Sequence, residues 1–135
     1  MTIQVLNGAN LGRLGTREPE VYGTTTYAQL EDLVGTAARE LGMEVQVRQT
    51  DDEGQLLRWI HEATDAGDPI VVNPGGWTHT SVVLHDALAA VTAPVLEVRR
   101  SSGTLEAYSL ASRPVLYGSK SSQMPLPSAP YTRWK

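Results

Sequence analysis

Two stretches of this 135-residue chain hold the side chains that could do chemistry. The first is Asn7-Gly8-Ala9-Asn10-Leu11-Gly12-Arg13-Leu14-Gly15-Thr16-Arg17-Glu18-Pro19-Glu20-Val21-Tyr22-Gly23, a glycine-rich run that ends on an arginine and a tyrosine. A tyrosine titrates near pH ~10, so it serves as a base at neutrality only where a cation such as Arg17 stabilises its phenolate. The glycine spacing fits neither a dinucleotide fingerprint nor a P-loop. The second stretch is Asn73-Pro74-Gly75-Gly76-Trp77-Thr78-His79-Thr80-Ser81. Here Asn73 stands directly at the end of an expected strand, and Gly75 and Gly76 let the backbone approach a ligand closely. His79 and Ser81 are expected at a helix N-terminus, where free N–H groups favour a polar or anionic ligand. Thr80 or Ser81 could equally serve as a helix cap. With His61 and His85 as the other histidines, the spacings show no pair of metal ligands. By themselves these residues point to a cation-activated base beside polar ligand contacts.

The elements that must position these loops alternate between short β-rich runs and longer helical patterns, the signature of a parallel sheet with crossover helices. Ile3–Leu6, Val45–Arg48, Ile70–Asn73, Val95–Val98 and Val115–Tyr117 are the five expected strands. Leu30, Leu33, Val34, Ala37, Ala38 and Leu41 fall on one face of a first helix, which Gly42 ends. A second helix runs from about Gly54 to Ala66 and stops at Gly67. A third begins near Ser81 with Leu84, Ala87, Leu88 and Val91 on one face, and a short fourth is expected around Thr104–Ala111. Right-handed crossovers then give an α/β, doubly wound, five-stranded parallel sheet in a three-layer sandwich with the flavodoxin-like strand order. In such folds ligands sit beyond the carboxyl ends of the strands. Both chemical stretches begin there.

Length and charge narrow the classes. The chain suits one compact domain, and with no cysteine it has neither disulfides nor a cysteine zinc site. The net charge of -4 argues against a large nucleic-acid footprint. No signal peptide or stretch of ~20 apolar residues is evident, so a soluble cytoplasmic protein without membrane association is expected. Charge is uneven: the first 98 residues carry 5 basic and 14 acidic side chains, the last 37 carry 6 and 1. Residues 1–118 read as the domain and residues 119–135 as a Ser/Pro-rich basic tail, either solvated or lying on the acidic body of a neighbouring subunit.

The runs from Asn7 to Gly12, Arg17-Glu18-Pro19 to Tyr22-Gly23, Arg48-Gln49-Thr50 through Glu53-Gly54 to Trp59-Ile60-His61, Asn73 to Ser81, and Glu97-Val98 together resemble type II 3-dehydroquinate dehydratase over residues 3 to 98. The resemblance implies a flavodoxin-like domain assembled as trimers stacked into dodecamers. It implies a small-molecule substrate and no metal or cofactor. The implied reaction, a step of the shikimate pathway, is loss of water from 3-dehydroquinate to give 3-dehydroshikimate through an enolate. By resemblance Tyr22 is the base and Arg17 lowers its pKa. Asn73 holds the water that stabilises the enolate oxygen, and Asn10 orders the site. Gly75, Gly76, His79 and Ser81 contact substrate, and Asp86 reaches a neighbouring subunit's site. Glu97 orients the acid, and the backbone N–H groups of Arg100 and Ser101 meet the substrate carboxylate. The departure is Arg99, which stands where the family has its general-acid histidine. Three readings follow: a homologue repurposed for elimination, isomerisation or cyclisation of another cyclic keto or hydroxy substrate; a weakened dehydroquinase, or one whose end reflects a shifted reading frame; and a binder without catalysis.

Overall fold

The computed structural model describes residues 1–16, 19–101, 104–110 and 132–133. Strands β1 (Ile3–Asn7), β2 (Val45–Gln49), β3 (Ile70–Asn73) and β4 (Val95–Ser101) pair in parallel in the order β2-β1-β3-β4. A short α1 (Pro19–Tyr22) and the longer α2 (Tyr27–Glu40) separate β1 from β2, and α3 (Glu53–Ala66) leads from β2 to β3. Helices α4 (Trp77–Thr80) and α5 (Val82–Ala89) separate β3 from β4. The result is an α/β fold whose chain direction across the sheet reverses between β1 and β3, so the loops after these two strands open the crevice where such folds bind ligands.

Local chemistry sets the helix limits. Thr26 and Gln29 form a reciprocal capping box at the start of α2, with N···O distances of 2.9 and 3.2 Å. Asp52 caps α3 by accepting from the Gln55 N–H at 3.1 Å, and α3 ends at Gly67, whose φ of 71° is left-handed. Alternation along the strands divides the apolar side chains between two faces. Leu6, Ile70, Val72 and Val95 enter one core with Leu56, Ile60 and Ala63 of α3 and Leu84 and Leu88 of α5. Val5, Val71 and Val98 lie on the opposite face and are half-buried or line a cavity beneath α2. The apolar stripe expected on α2 is only partly used: Ala38 is buried, but Leu33 and Leu41 are 63% and 68% exposed among the described residues.

One sequence expectation is corrected. The segment expected as a short helix at Thr104–Ala111 is strand β5 (Thr104–Ser109), antiparallel to β4 from Leu96↔Ser109 to Ser101↔Thr104. Six residues carry too little periodicity to separate the two conformations, and the open edge of β4 decides, because its N–H and C=O groups need partners. The place beside β4 is thus taken by an antiparallel strand, and among the described residues four strands are parallel. The predicted fifth strand, Val115–Tyr117, lies outside the described residues, as does the basic tail apart from Thr132–Arg133, a two-residue strand β6 against Glu106 and Ala107. Among the described residues no helix is long and apolar enough to cross a membrane.

The contrast between the two faces is measurable. Leu56 is fully buried, so Leu56→Ala is expected to cost about 2–5 kcal/mol in urea unfolding. Leu33→Ala is expected to stay within about 0.5 kcal/mol. Equal losses would contradict this assignment of the core.

Candidate active site

The site is built where β1 and β3 end side by side. Their register pairs Asn7 with Asn73. The Gly8 N–H donates to the Asn73 carbonyl at 2.8 Å, which draws the two loops together immediately beyond the sheet. Glycine is required on both sides of this contact. A Cβ on Gly8 would run into the Pro74 backbone, and one on Gly75 would come within 2.7 Å of the Ala9 carbonyl oxygen. Gly75 also has φ 65°, a left-handed conformation that side chains disfavour.

The first loop turns through Asn10, which has φ 68° and is the one described non-glycine residue with positive φ. A short 3-10 turn, Leu11–Arg13, follows. In the second loop Asn73 Oδ1 accepts from the Gly75 N–H at 3.2 Å. That bond orients the side chain by its oxygen and leaves the Nδ2 donors for the cavity. His79 lies within the single turn of α4, not at the start of α5 as expected, and is exposed. His85 Nε2 lies 3.0 Å from the Thr78 carbonyl and supports this turn from α5.

A cavity of about 670 Å³ opens between these loops, α2 and β4. Asn10, Asn73, Gly75, Gly76, His79 and Arg99 all line it, so six of the expected residues are brought together. Its floor is apolar, formed by Val5, Val71, Val98, Leu30 and Val34. Its charged described residues are Arg13 and Arg99, with no Asp or Glu among the described lining, so the cavity favours an anion.

Other expected residues lie elsewhere. Ser81 is buried and absent from the described lining; its Oγ–H donates to Glu53 at 2.7 Å while the same oxygen accepts from the Leu84 N–H at 3.1 Å, so it caps α5. Asp86 is exposed on α5, away from this cavity. Glu97 is buried, with no hydrogen-bond partner for Oε1 among the described residues, and does not line the cavity. Arg17 lies outside the described residues. The backbone of Tyr22 closes α1, and those of Arg100 and Ser101 end β4; their side chains lie outside what is described. Pairing of β3 with β4 runs as far as Val72↔Glu97, and β4 continues past it to Ser101.

Sequence reasoning missed Asn7, Arg13 and Thr78, which also line the cavity. For Asn7 the signal was present, since β1 and β3 both end on an asparagine followed by glycine or Pro-Gly. Arg13 sits in the same glycine-rich run as Asn10, but position in the run alone does not reveal which side chains turn inward.

The family described as Dehydroquinase class II matches residues 1–107. The 3-dehydroquinate dehydratase of Salinispora arenicola is 59% identical over 102 residues, covering 76% of this chain and 71% of that protein. That of Mycobacteroides abscessus is 57% identical over the same coverage. Among solved structures, a type II dehydroquinase from Propionibacterium acnes superposes with a TM-score of 0.71 at 46% identity, covering 76% of this chain and 74% of that one. A 3-dehydroquinate dehydratase-like protein from Bifidobacterium longum gives a TM-score of 0.57 at 34% identity, covering 77% of each chain. By sequence match and by fold, the chain belongs to the class II dehydroquinase family.

Proposed function

We propose that this chain is a hydro-lyase that converts 3-dehydroquinate to 3-dehydroshikimate, in the cytoplasm and as a homo-oligomer of trimers. The observation that carries the reading is the convergence of Asn10, Asn73, His79 and the Gly75-Gly76 turn on one cationic cavity, in a chain that matches dehydroquinases through this whole region. Tyr22, its phenolate stabilised by Arg17, removes the proton α to the ketone. Electrons pass to the carbonyl oxygen, and the free Nδ2 donors of Asn73 stabilise the enolate, directly or through a water. His79 binds a ring hydroxyl. Arg13, Arg99 and the backbone beyond Glu97 hold the carboxylate end of the substrate.

The second half of the reaction is weaker. A guanidinium stays protonated throughout the neutral range, so Arg99 stabilises charge but does not hand a proton to a departing hydroxyl. Water supplies that proton instead, at a cost of about 10²–10⁴-fold in rate. One observation favours a second reading: Arg99 lines the cavity itself, where it would suit a different cyclic keto or hydroxy substrate. Conversion of 3-dehydroquinate, followed by the absorbance of the conjugated enone, tests the proposal. The wild-type chain is expected to turn over slowly and Arg99→His at least about tenfold faster. Fast wild-type turnover that is indifferent to residue 99 would contradict the missing-acid account, and no turnover by either would refute the function.

A second tyrosine, Tyr27, follows Tyr22 closely in the chain, and its environment sets it apart from the proposed base. Burial, and then the Glu31 carboxylate beside it, push the Tyr27 phenol from 10.0 up to about 12, so Tyr27 is no base at neutral pH. Tyr22→Phe is expected to lower kcat by about 10²–10⁴-fold. Tyr27→Phe should leave turnover within about threefold, since the phenol stays neutral throughout the working range. Because the folded pKa of Tyr27 is raised, its contribution to stability is complete below pH 10 and is lost as pH rises toward 12. Urea midpoints measured across that window should therefore fall less steeply in Tyr27→Phe than in the wild type.

A further inference from the structure

The two site loops are held from a third place, the turn that joins β2 to α3. Asp51 Oδ1 accepts from the Asn10 N–H at 2.8 Å and from Gln49 Nε2 at 3.1 Å. The same Gln49 nitrogen donates to the Gly8 carbonyl at 3.2 Å, and Gly12 packs so closely that a Cβ there would come within 2.9 Å of Gln49 Oε1. Two residues on, Glu53 Oε1 accepts from the Ser81 hydroxyl at 2.7 Å, fixing the junction between α4, which carries His79, and α5. Neither Asp51, Glu53 nor Gln49 lines the cavity.

We infer that Asp51 and Glu53 are positioning residues: Asp51 sets the loop that carries Asn10 and Arg13, Glu53 sets the loop that carries His79, and the β2–α3 turn anchors both. The inference rests on the reading of the cavity as a dehydratase site. Asn10 holds a left-handed conformation, which asparagine adopts more readily than other non-glycine residues but which still departs from the usual preference. The bond from its N–H to a carboxylate is charge-assisted and short, and favours that turn of the loop. Asp51 and Glu53 are themselves exposed, so their removal creates no void and leaves the core intact. What moves is the placement of the groups that meet the substrate, and misplacement at a reacting centre is paid in kcat.

The test compares Asp51→Ala and Asp51→Asn, and Glu53→Ala and Glu53→Gln, in the full chain. Two readouts are taken: hydrogen exchange of the Asn10 amide by NMR, which requires no turnover, and kcat and KM for 3-dehydroquinate. Asp51→Ala should speed Asn10 exchange about tenfold and lower kcat by about the same factor, with KM changing less than about threefold. Asp51→Asn should restore both, because its amide oxygen can accept the same two bonds. Glu53→Ala should lower kcat with Asn10 exchange unchanged, and Glu53→Gln should restore it. Unchanged Asn10 exchange in Asp51→Ala, or a failure of the amide variants to rescue, overturns the inference. Absence of turnover in the wild type would instead refute the proposed function, and Asn10 exchange would still decide whether Asp51 holds the loop.

Discussion

Backbone lies directly on backbone where the loop after β1 meets the loop after β3. Gly8 rests against Pro74, Gly75 against Ala9, and the Gly8 N–H closes on the Asn73 carbonyl. A single methyl group at Gly8 or Gly75 would force these segments apart. The contact follows from the parallel register that sets Asn7 beside Asn73, and that register in turn follows from the core, since Leu6, Ile70 and Val72 face α3 and α5 only in this alignment. Asn10, Arg13, Gly76 and His79 reach one cavity because the two loops cannot separate.

The chemistry of that cavity is lopsided. Its described lining offers cations and amide donors but no carboxylate, which suits an anionic substrate and the negative charge that develops on an enolate oxygen. Glu97 is buried two residues before Arg99 on β4, with one carboxylate oxygen lacking a partner among the described residues. Strand alternation places residues 97 and 99 on the same side, so a histidine at 99 would give that carboxylate a ring to orient. On the proposed function, Arg99 can stabilise charge but cannot deliver the proton that the departing hydroxyl needs.

The central residues were legible because strand-end loops in parallel sheets have a fixed job. Asn73, Gly75 and His79 stand in the connection that leaves β3, Asn10 stands in the one that leaves β1, and all four line the cavity. Asn7 was legible in principle by the same rule. The limits were local. In Thr104–Ser109 six residues fit two conformations, and a requirement for hydrogen-bond partners at the edge of β4 chose between them. On α2 the helical period was right, yet it could not reveal that Leu33 and Leu41 find no cover among the described residues. Ser81 read equally as a ligand contact or a helix cap; it caps α5, and its second bond, to Glu53, is a pairing across 28 positions that no short-range pattern encodes.

The proposed function, with a working base and no general acid, implies a distinct kinetic signature. If proton removal works and hydroxyl departure lags, the enolate returns to substrate more often than it goes forward, and in heavy water each return that follows exchange of the tyrosine's captured proton with solvent carries a deuteron to the carbon α to the ketone. The most direct measurement is proton NMR of 3-dehydroquinate incubated with the full chain in D2O. Loss of one α-proton signal should run ahead of the appearance of 3-dehydroshikimate. Product that forms with no prior exchange would contradict the account, as would substrate that neither exchanges nor reacts.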